Sequence, residues 1–491
     1  MCPLGQRFRP GAPIRPRYPA VRPAFLVVVP NASNIGTLNL GLISNGSCGT
    51  LGTRDLRARG NHLLNQFLRA AALGVAFAAG PIAVLAHGLL GLGAIFTGLV
   101  LVVPVLLLAS VASWREIRVD LCDILVAAFA GCIVISCLLN GVSDRKELAL
   151  LAVVLAQYAA GRLAPVRDAR SGLLSLGVGV VVIGIAVTIV ALVEQWSDNH
   201  GKPYVFGEFD AAPTQFAVLL GVVVIAAVSS DRLPRWTFVG VGLLSVVAVA
   251  VFSASMVRFS LLALVVSAGA GALFCKGRAR RRGLVLVALL IVAIGAGAGA
   301  RWGAAAVFGR HLLTATGMAR IAPDASMLLP VAKECPPVDV DNSLAIRKQL
   351  LADAVRLLPQ AGPFGVGAGG FALRSCVRGH SVHNSFIQAV IEFGWFAGAL
   401  LVAVIVTTWH ALIPLARVLP DYRFAACLML FVVLISMVHG RTSHDFILLL
   451  VLGLAAHLRA TRESAASQWM LRGFMPLPSK RAATSSGPSG S

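Results

Sequence analysis

Between residues 67 and 458 the chain is a succession of apolar runs separated by short polar breaks. They cover residues 67–86, 90–111, 121–139, 148–163 and 173–193, then 216–230, 237–256, 259–275 and 284–300, and finally 387–409, 424–438 and 446–458. None alternates apolar and polar residues as a membrane β-strand does. Backbone facing lipid must satisfy its own hydrogen bonds, so runs of this length predict helices. The predicted fold class is therefore all-α, a polytopic transmembrane helix bundle of about twelve spans. Several runs fall short of the ~20 residues that a span needs, and their helices must extend into flanking polar positions.

The pattern is interrupted twice. In residues 1–62, Arg7, Arg9, Arg15, Arg17 and Arg22 alternate with Pro10, Pro13, Pro16, Pro19 and Pro23, which disfavours helix. The apolar stretch at 25–29 is too short to span a bilayer or to form the core of a signal peptide. This segment reads as a disordered basic cytoplasmic tail, or as sequence ahead of the true start. The second interruption, residues 304–386, leaves the membrane for roughly 80 residues. Apolar positions at 344–358 recur there at helical spacing, so this large outer loop is partly helical and its helix carries Arg347. The domain organisation is then a tail (1–62), nine spans (63–303), the large loop (304–386), three spans (387–460) and a second cytoplasmic tail (461–491).

Composition agrees with this layout. With 57% hydrophobic and only 13% charged residues, the chain carries about half the charge expected of a soluble protein. Lys and Arg number 42 against 21 Asp and Glu. Such an excess can mark a nucleic-acid binder, but here it falls between apolar runs, as topology signals do. No nucleic-acid partner is expected, and membrane lipids are the surroundings. With a cytoplasmic N-terminus, the inner loops hold Arg115, Arg118, Arg162, Arg167, Arg170, Arg232, Arg235, Lys276, Arg278, Arg280, Arg281, Arg282, Arg417 and Arg423. The short outer loops hold only Arg145, Lys146, Lys202, Arg258 and Arg441, and the basic C-terminal tail (Arg459, Arg462, Arg472, Lys480, Arg481) falls inside. Both termini are therefore predicted in the cytoplasm, with the long loop on the other side.

Of nine cysteines, Cys2 and Cys48 lie in the first tail, and Cys122, Cys132, Cys137, Cys275 and Cys427 lie in or beside spans. Cys335 and Cys376 alone fall in the outer loop. In an oxidising compartment they can form a disulfide that closes the loop around Arg347.

Long loops on a rigid scaffold tend to hold function, and this one contains the densest constellation. It runs Gly362-Pro363-Phe364-Gly365-Val366-Gly367-Ala368-Gly369-Gly370-Phe371, then His383-Asn384-Ser385-Phe386-Ile387-Gln388, then Glu392-Phe393-Gly394. The glycines lack the Gly-Lys-Ser/Thr ending of a nucleotide loop. They form either a tight turn with close backbone approach or an amide nest for phosphate. His380 and His383 have no acidic or Cys partner at metal-ligand spacing, so no metal is expected. His383, at the water interface just before a span, is a candidate general base. Arg258 interrupts an apolar stretch with no acidic neighbour in sequence, a placement that marks function more often than not. Arginine grips phosphate oxygens through paired hydrogen bonds and stays charged. Arg258 and Arg347 near one face of a bilayer therefore suit a lipid-linked diphosphate.

Arg347, the Pro363-Phe-Gly365-Val-Gly367 turn, Phe371, His383-Asn384 and Gly394 together resemble the C-terminal region of the O-antigen ligase and polymerase superfamily of bacterial inner-membrane proteins. Ser253-Ala-Ser255-Met-Val-Arg258 resembles that family's earlier Ser-Arg element, and Phe209-Asp-Ala-Ala-Pro213-Thr-Gln-Phe-Ala217 its Asn-Pro-Asn-like entrance to a middle span. Motif-level similarity covers residues 206–261 and 343–398. Three departures stand out: Arg258 lies farther from its serines, Gly398 falls one position past the family's second glycine, and Ala212-Pro213-Thr214 replaces Asn-Pro-Asn.

The resemblance implies an inverting, metal-independent glycosyltransferase with no cofactor and its active loop in the periplasm. Its donor would be a polyprenyl-diphosphate-linked saccharide, and its acceptor a glycan, a lipid A-core or a protein hydroxyl. Arg258, Arg347 and His383 would be catalytic, with Asn384, Gly365, Gly367 and Pro213 contacting substrate. The alternatives are a multi-span solute transporter, which should show broken helices and repeated halves, and a membrane scaffold, which would leave His383-Asn384 and Arg258 without a purpose.

Overall fold

A computed structural model describes residues 53–112, 117–143, 145–196, 201–231, 233–315, 335, 338, 343–377 and 379–474. Residues 1–52 and 475–491 lie outside the described residues, and so do Cys2, Cys48, Arg115, Arg232, Lys480 and Arg481. The chain divides into two units, Met1–Leu56 and Arg57–Ser491.

The elements in order are α1 (Thr53–Phe77), α2 (Ala79–Leu90), α3 (Ala94–Val111), α4 (Leu121–Asn140), α5 (Arg145–Arg162), α6 (Val166–Gly172), α7 (Val178–Glu194), α8 (Ala212–Val228), α9 (Arg235–Ala254), α10 (Phe259–Phe274), α11 (Gly277–Ala300) and α12 (Trp302–Ala315). They continue with α13 (Ser343–Leu357), α14 (Gly370–Arg374), α15 (Ser385–Phe393), α16 (Trp395–Ala416), α17 (Pro420–Val438) and α18 (Phe446–Phe474). Among the described residues the only β pairings are the isolated bridges Val142–Ala368 and Val205–Phe209. Among the described residues, seven helical stretches are long and apolar enough to cross a membrane, and eight if the α1–α2 pair, bent by 72°, is one span. The protein is an all-helical, multi-pass membrane protein.

Burial sorts the helices into centre and rim. Every residue of α8 but Thr214 and Gln215 is buried, so that helix is wrapped by its neighbours. In α3 only 17% of the span window is buried, and Ile95 and Leu106 point outward. Apolar surface so extensive is stable only against lipid. Close helix contacts rest on small residues. A Cβ on Gly161 of α5 would sit 2.1 Å from the Leu450 carbonyl oxygen of α18, and one on Gly453 of α18 the same 2.1 Å from that of Tyr158.

Two predicted runs are divided. The run at 67–86 bends at Ala78, between α1 and α2. The run at 387–409 breaks at Gly394, whose φ of 96° ends α15 and starts α16. Helix α1 also begins at Thr53, inside the stretch read as a tail.

Arginines counted as loop charges become part of the packing at one end of the bundle. Arg162 pairs with Asp123 at 3.1 Å, Arg170 with Asp421 at 3.1 Å, and Arg423 with Asp231 at 2.6 Å. Arg69 pairs with Asp168 at 2.9 Å. Arg423 is almost wholly buried and also donates to the Ala416 and Ser229 carbonyls.

Candidate functional site

The other end of the bundle carries the helices α13, α14 and α15. Along α13, Leu350, Ala354 and Leu357 are buried in a small core with Val338, Val366, Phe371, Val377, Val382 and Ile391. Arg347 lies three, seven and ten residues before them, on the same face. It therefore projects beneath α13, toward the bundle, and is half-buried. Asp353 ties the helix down: its carboxylate accepts from the Cys376 amide at 2.7 Å and from Gln349 Nε2 at 3.1 Å. Cys376 is joined to Cys335 by a disulfide, so the cysteine pair staples the loop beside this anchor.

Under α13, the Arg347 guanidinium lies 5.5 Å from the centre of the Phe259 ring. Its Nη2 donates to His439 Nδ1 at 3.4 Å. The Phe259 and His439 rings meet edge-on, 5.9 Å apart. Phe259 opens α10 and directly follows Arg258, while His439 caps the C-terminus of α17.

His383 sits in the loop before α15 with φ at 53°, a left-handed conformation unusual for a residue with a Cβ. Such strain persists only where the surroundings over-determine it, and it concentrates at functional sites. Asn384 supplies the constraint. Its Oδ1 accepts from the Phe386 and Ile387 amides, capping α15, and its Nδ2 donates to the Met437 carbonyl at 3.1 Å. Both ends of the Asn384 side chain thus brace the backbone.

The electrostatics define the site. Burial pushes the His383 imidazole down to about 4, and Arg347, His380, Arg441 and Lys202 add repulsion. Burial likewise lowers His439 to about 3, with Arg347, Lys202 and His383 adding to it. Lys202 is lowered by burial, with Arg347 and Arg258 opposing its charge and Asp210 supporting it. Burial lowers Arg258 to about 10. At neutral pH this leaves two uncharged imidazoles among cations, a setting that favours an incoming anion. Arg258 Nη2 also rests 3.2 Å from Met256 Sδ, in a turn where Met256 has φ at 63°. Arg301, buried at the end of α11, donates to the Gly201 and Ala254 carbonyls at 3.2 and 3.1 Å. It thereby joins the Lys202 loop to the end of α9.

The glycine-rich turn acts as a clamp. Val366 and Gly367 amides donate to the Ile391 and Glu392 carbonyls at 2.9 and 3.0 Å, and the Trp395 amide donates to Gly362 at 3.0 Å. The Gly369 amide is bonded to the Glu392 carboxyl, which burial raises to about 7. Ser136 Oγ donates to the same Glu392 carbonyl at 2.7 Å, and Asn140 Nδ2 to that of Gly365 at 3.3 Å. With these amides spent on α15, the geometry is that of the tight turn and not of the phosphate nest. Gly365 and Gly367 are packed against neighbouring backbone, where an added Cβ would stand 2.2 Å from the Glu392 carbonyl oxygen and 2.9 Å from that of Gly141. Pro213 is buried in the first turn of α8, where a missing N–H costs nothing. Its successors Thr214 and Gln215 line a cavity of about 110 Å³ with His439, Arg441, His444 and Asp445.

Lys202, His439, Arg441 and Arg301 were not singled out from sequence. A signal existed for two of them: His439-Gly-Arg441-Thr-Ser-His444-Asp445 is a polar run between two apolar ones. In the structure Arg441 pairs with Glu147 at 2.7 Å. The Ser443 hydroxyl donates to Glu147 as well, and that of Ser385 donates to Asp445 at 2.6 Å. Packing raises the Asp445 carboxyl to about 6. Among the described residues no group of three or more His, Cys, Asp or Glu could hold a metal ion. No family model matches the chain, and no curated protein matches it either.

Proposed function

We propose that the protein is a membrane glycosyltransferase of the O-antigen ligase or polymerase kind, transferring a saccharide from a polyprenyl-diphosphate carrier to an acceptor hydroxyl at the periplasmic face of the bacterial inner membrane. The observation that carries the reading is that the C-terminal end of α17 brings Arg347 and the His383-Asn384 pair together, since His439 meets the Arg347 guanidinium at 3.4 Å and the Met437 carbonyl accepts from Asn384 at 3.1 Å. Arg347 and Lys202 add to the repulsion felt by His383. Counting the bent pair and the helices α5, α8, α10 and α18 as passes brings the total to about twelve. Both termini then lie in the cytoplasm, and the cationic site faces outward.

Arg347 and Arg258 hold the diphosphate and stabilise the charge that grows on it as the anomeric C–O bond breaks. The acceptor oxygen attacks the anomeric carbon from the opposite side, so the configuration inverts. Its proton passes to His383, and the carrier leaves as the polyprenyl diphosphate anion. An imidazole held near 4 is a weak base. The arriving diphosphate offsets the repulsion from Arg347 and Lys202, which strengthens His383 somewhat as a base once the donor is bound, while burial still holds it below the ordinary histidine value. Asn384 keeps His383 in place from behind.

The test is transfer of a lipid-linked saccharide by the purified protein. Arg347→Ala and His383→Ala should each lower the rate ~100–1000-fold at undiminished abundance, and normal product from either variant would sink the roles assigned. Deleting the gene and resolving surface polysaccharide on a gel identifies the acceptor. Loss of the whole lipid A-linked ladder indicates a ligase, and single-repeat products a polymerase. Unchanged polysaccharide leaves a protein hydroxyl as acceptor, or the rival transporter reading.

A further inference from the structure

At the opposite end of the bundle, arginines are oriented by carboxylates: Arg162 by Asp123, Arg69 by Asp168 and Arg423 by Asp231. A carboxylate fixes a guanidinium and also neutralises it. Arg347 is held differently. Among the described residues its hydrogen-bond partner is the His439 imidazole and its ring partner is Phe259. A guanidinium has only donors, so His439 Nδ1 is the acceptor and the ring proton sits on Nε2. Both partners are uncharged.

We infer that His439 is a positioning residue for Arg347, a neutral acceptor that aims the guanidinium while leaving its whole charge for the donor's diphosphate; the inference rests on the diphosphate reading above. A carboxylate at the same place would orient Arg347 equally well but would compete with the phosphate oxygens for it. The C-terminal turn of α17 then serves both halves of the site. Through the Met437 carbonyl it holds Asn384, and with it His383; through His439 it holds Arg347.

Asn and Asp have the same shape, and either places an oxygen where His439 Nδ1 now lies. They differ in charge and in one terminal group, an NH2 in Asn where Asp has its second oxygen, so His439→Asn and His439→Asp separate orientation from neutrality, and His439→Ala removes both. The full-length variants would be reconstituted in nanodiscs and compared in two measurements, affinity for sugar-free polyprenyl diphosphate and kcat and KM for the lipid-linked donor. His439→Asn should stay within about threefold of the unmodified protein in both. His439→Asp should weaken carrier binding and raise KM by about tenfold or more, the scale of one charge-assisted hydrogen bond. His439→Ala should lower kcat by about tenfold with a smaller change in carrier affinity.

Equal carrier affinity in the Asn and Asp variants would overturn the inference, as would an Ala variant that matches the unmodified protein. If the Asp variant does not accumulate, the Asn and Ala variants decide, and equal kcat and affinity in those two refute it. Carrier binding without sugar transfer would discard the glycosyltransferase reading, and the binding series would still judge His439. Failure of the unmodified protein to bind the carrier would remove both.

Discussion

Substituting alanine for Gly394 should unseat the clamp that holds the loop before α15, and the structure sets the size of the effect. Gly394 has φ at 96° and ψ at 170°, a region essentially reserved for glycine that a residue with a Cβ enters at a cost of about 1–3 kcal/mol. An added Cβ would stand 2.0 Å from the Pro363 carbonyl oxygen, a backbone atom that cannot swing away. Overpacking of this kind costs about 1–3 kcal/mol more, so the expected loss is about 2–6 kcal/mol. Gly362 is the internal control. Its φ is 63°, but an added Cβ would meet nothing within 4 Å. Gly362→Ala should therefore cost about 1 kcal/mol, the conformational term less what a stiffer unfolded chain returns. Gly365→Ala, with its Cβ 2.2 Å from the Glu392 carbonyl oxygen, should resemble Gly394→Ala. The assay is thermal unfolding of purified protein followed by tryptophan fluorescence, since Trp395 adjoins the clamp and its Nε1 donates to the Leu358 carbonyl at 3.0 Å. If Gly394→Ala melts together with Gly362→Ala, the clamp is not what holds this loop.

The remaining predictions use other handles. His383 is pushed down to about 4, so the unloaded site keeps a neutral base through the mildly acidic range. kcat/KM should then decline only as pH falls through about 4, while kcat, which reports the loaded site, should decline at a higher pH that still lies below the ordinary histidine value of ~6.5, because the diphosphate offsets the cations and leaves the burial in place. A pH–rate profile in which both decline near neutrality would show that His383 is not in the cationic field. Replacing Cys335 and Cys376 together by serine opens a closure with a sequence separation of 41. Chain entropy puts its contribution at about 4 kcal/mol, so denaturant should release the loop earlier in the variant, and a coincident transition would contradict this. Asp353→Asn should loosen α13 and lower transfer severalfold, because the carboxylate anchors the Cys376 amide; unchanged kcat would mean that the helix is held by its apolar face alone.

Much of the fold could be read along the chain. Helix formation and burial are nearly local properties, expressed in run length and in the spacing of apolar residues, so the all-helical membrane architecture follows from sequence. So does the helix under Arg347, expected at 344–358 and found at Ser343–Leu357. The pairing of Cys335 with Cys376 needed only their shared loop. Tertiary structure decided what depends on contact between distant segments. Lys202, Arg347 and His439 stand in separate loops and helices, and no local pattern relates them. Arg423 and Arg258 look alike as charges between apolar runs, yet one is neutralised by Asp231 and the other joins a cationic site, because a charge has its role set by what packs against it. The glycines at 365 and 367 suit a tight turn against neighbouring backbone or an amide nest for phosphate. Only the docking of α15 against the turn assigned them to the backbone, since close approach is a property of two surfaces and a sequence displays one at a time.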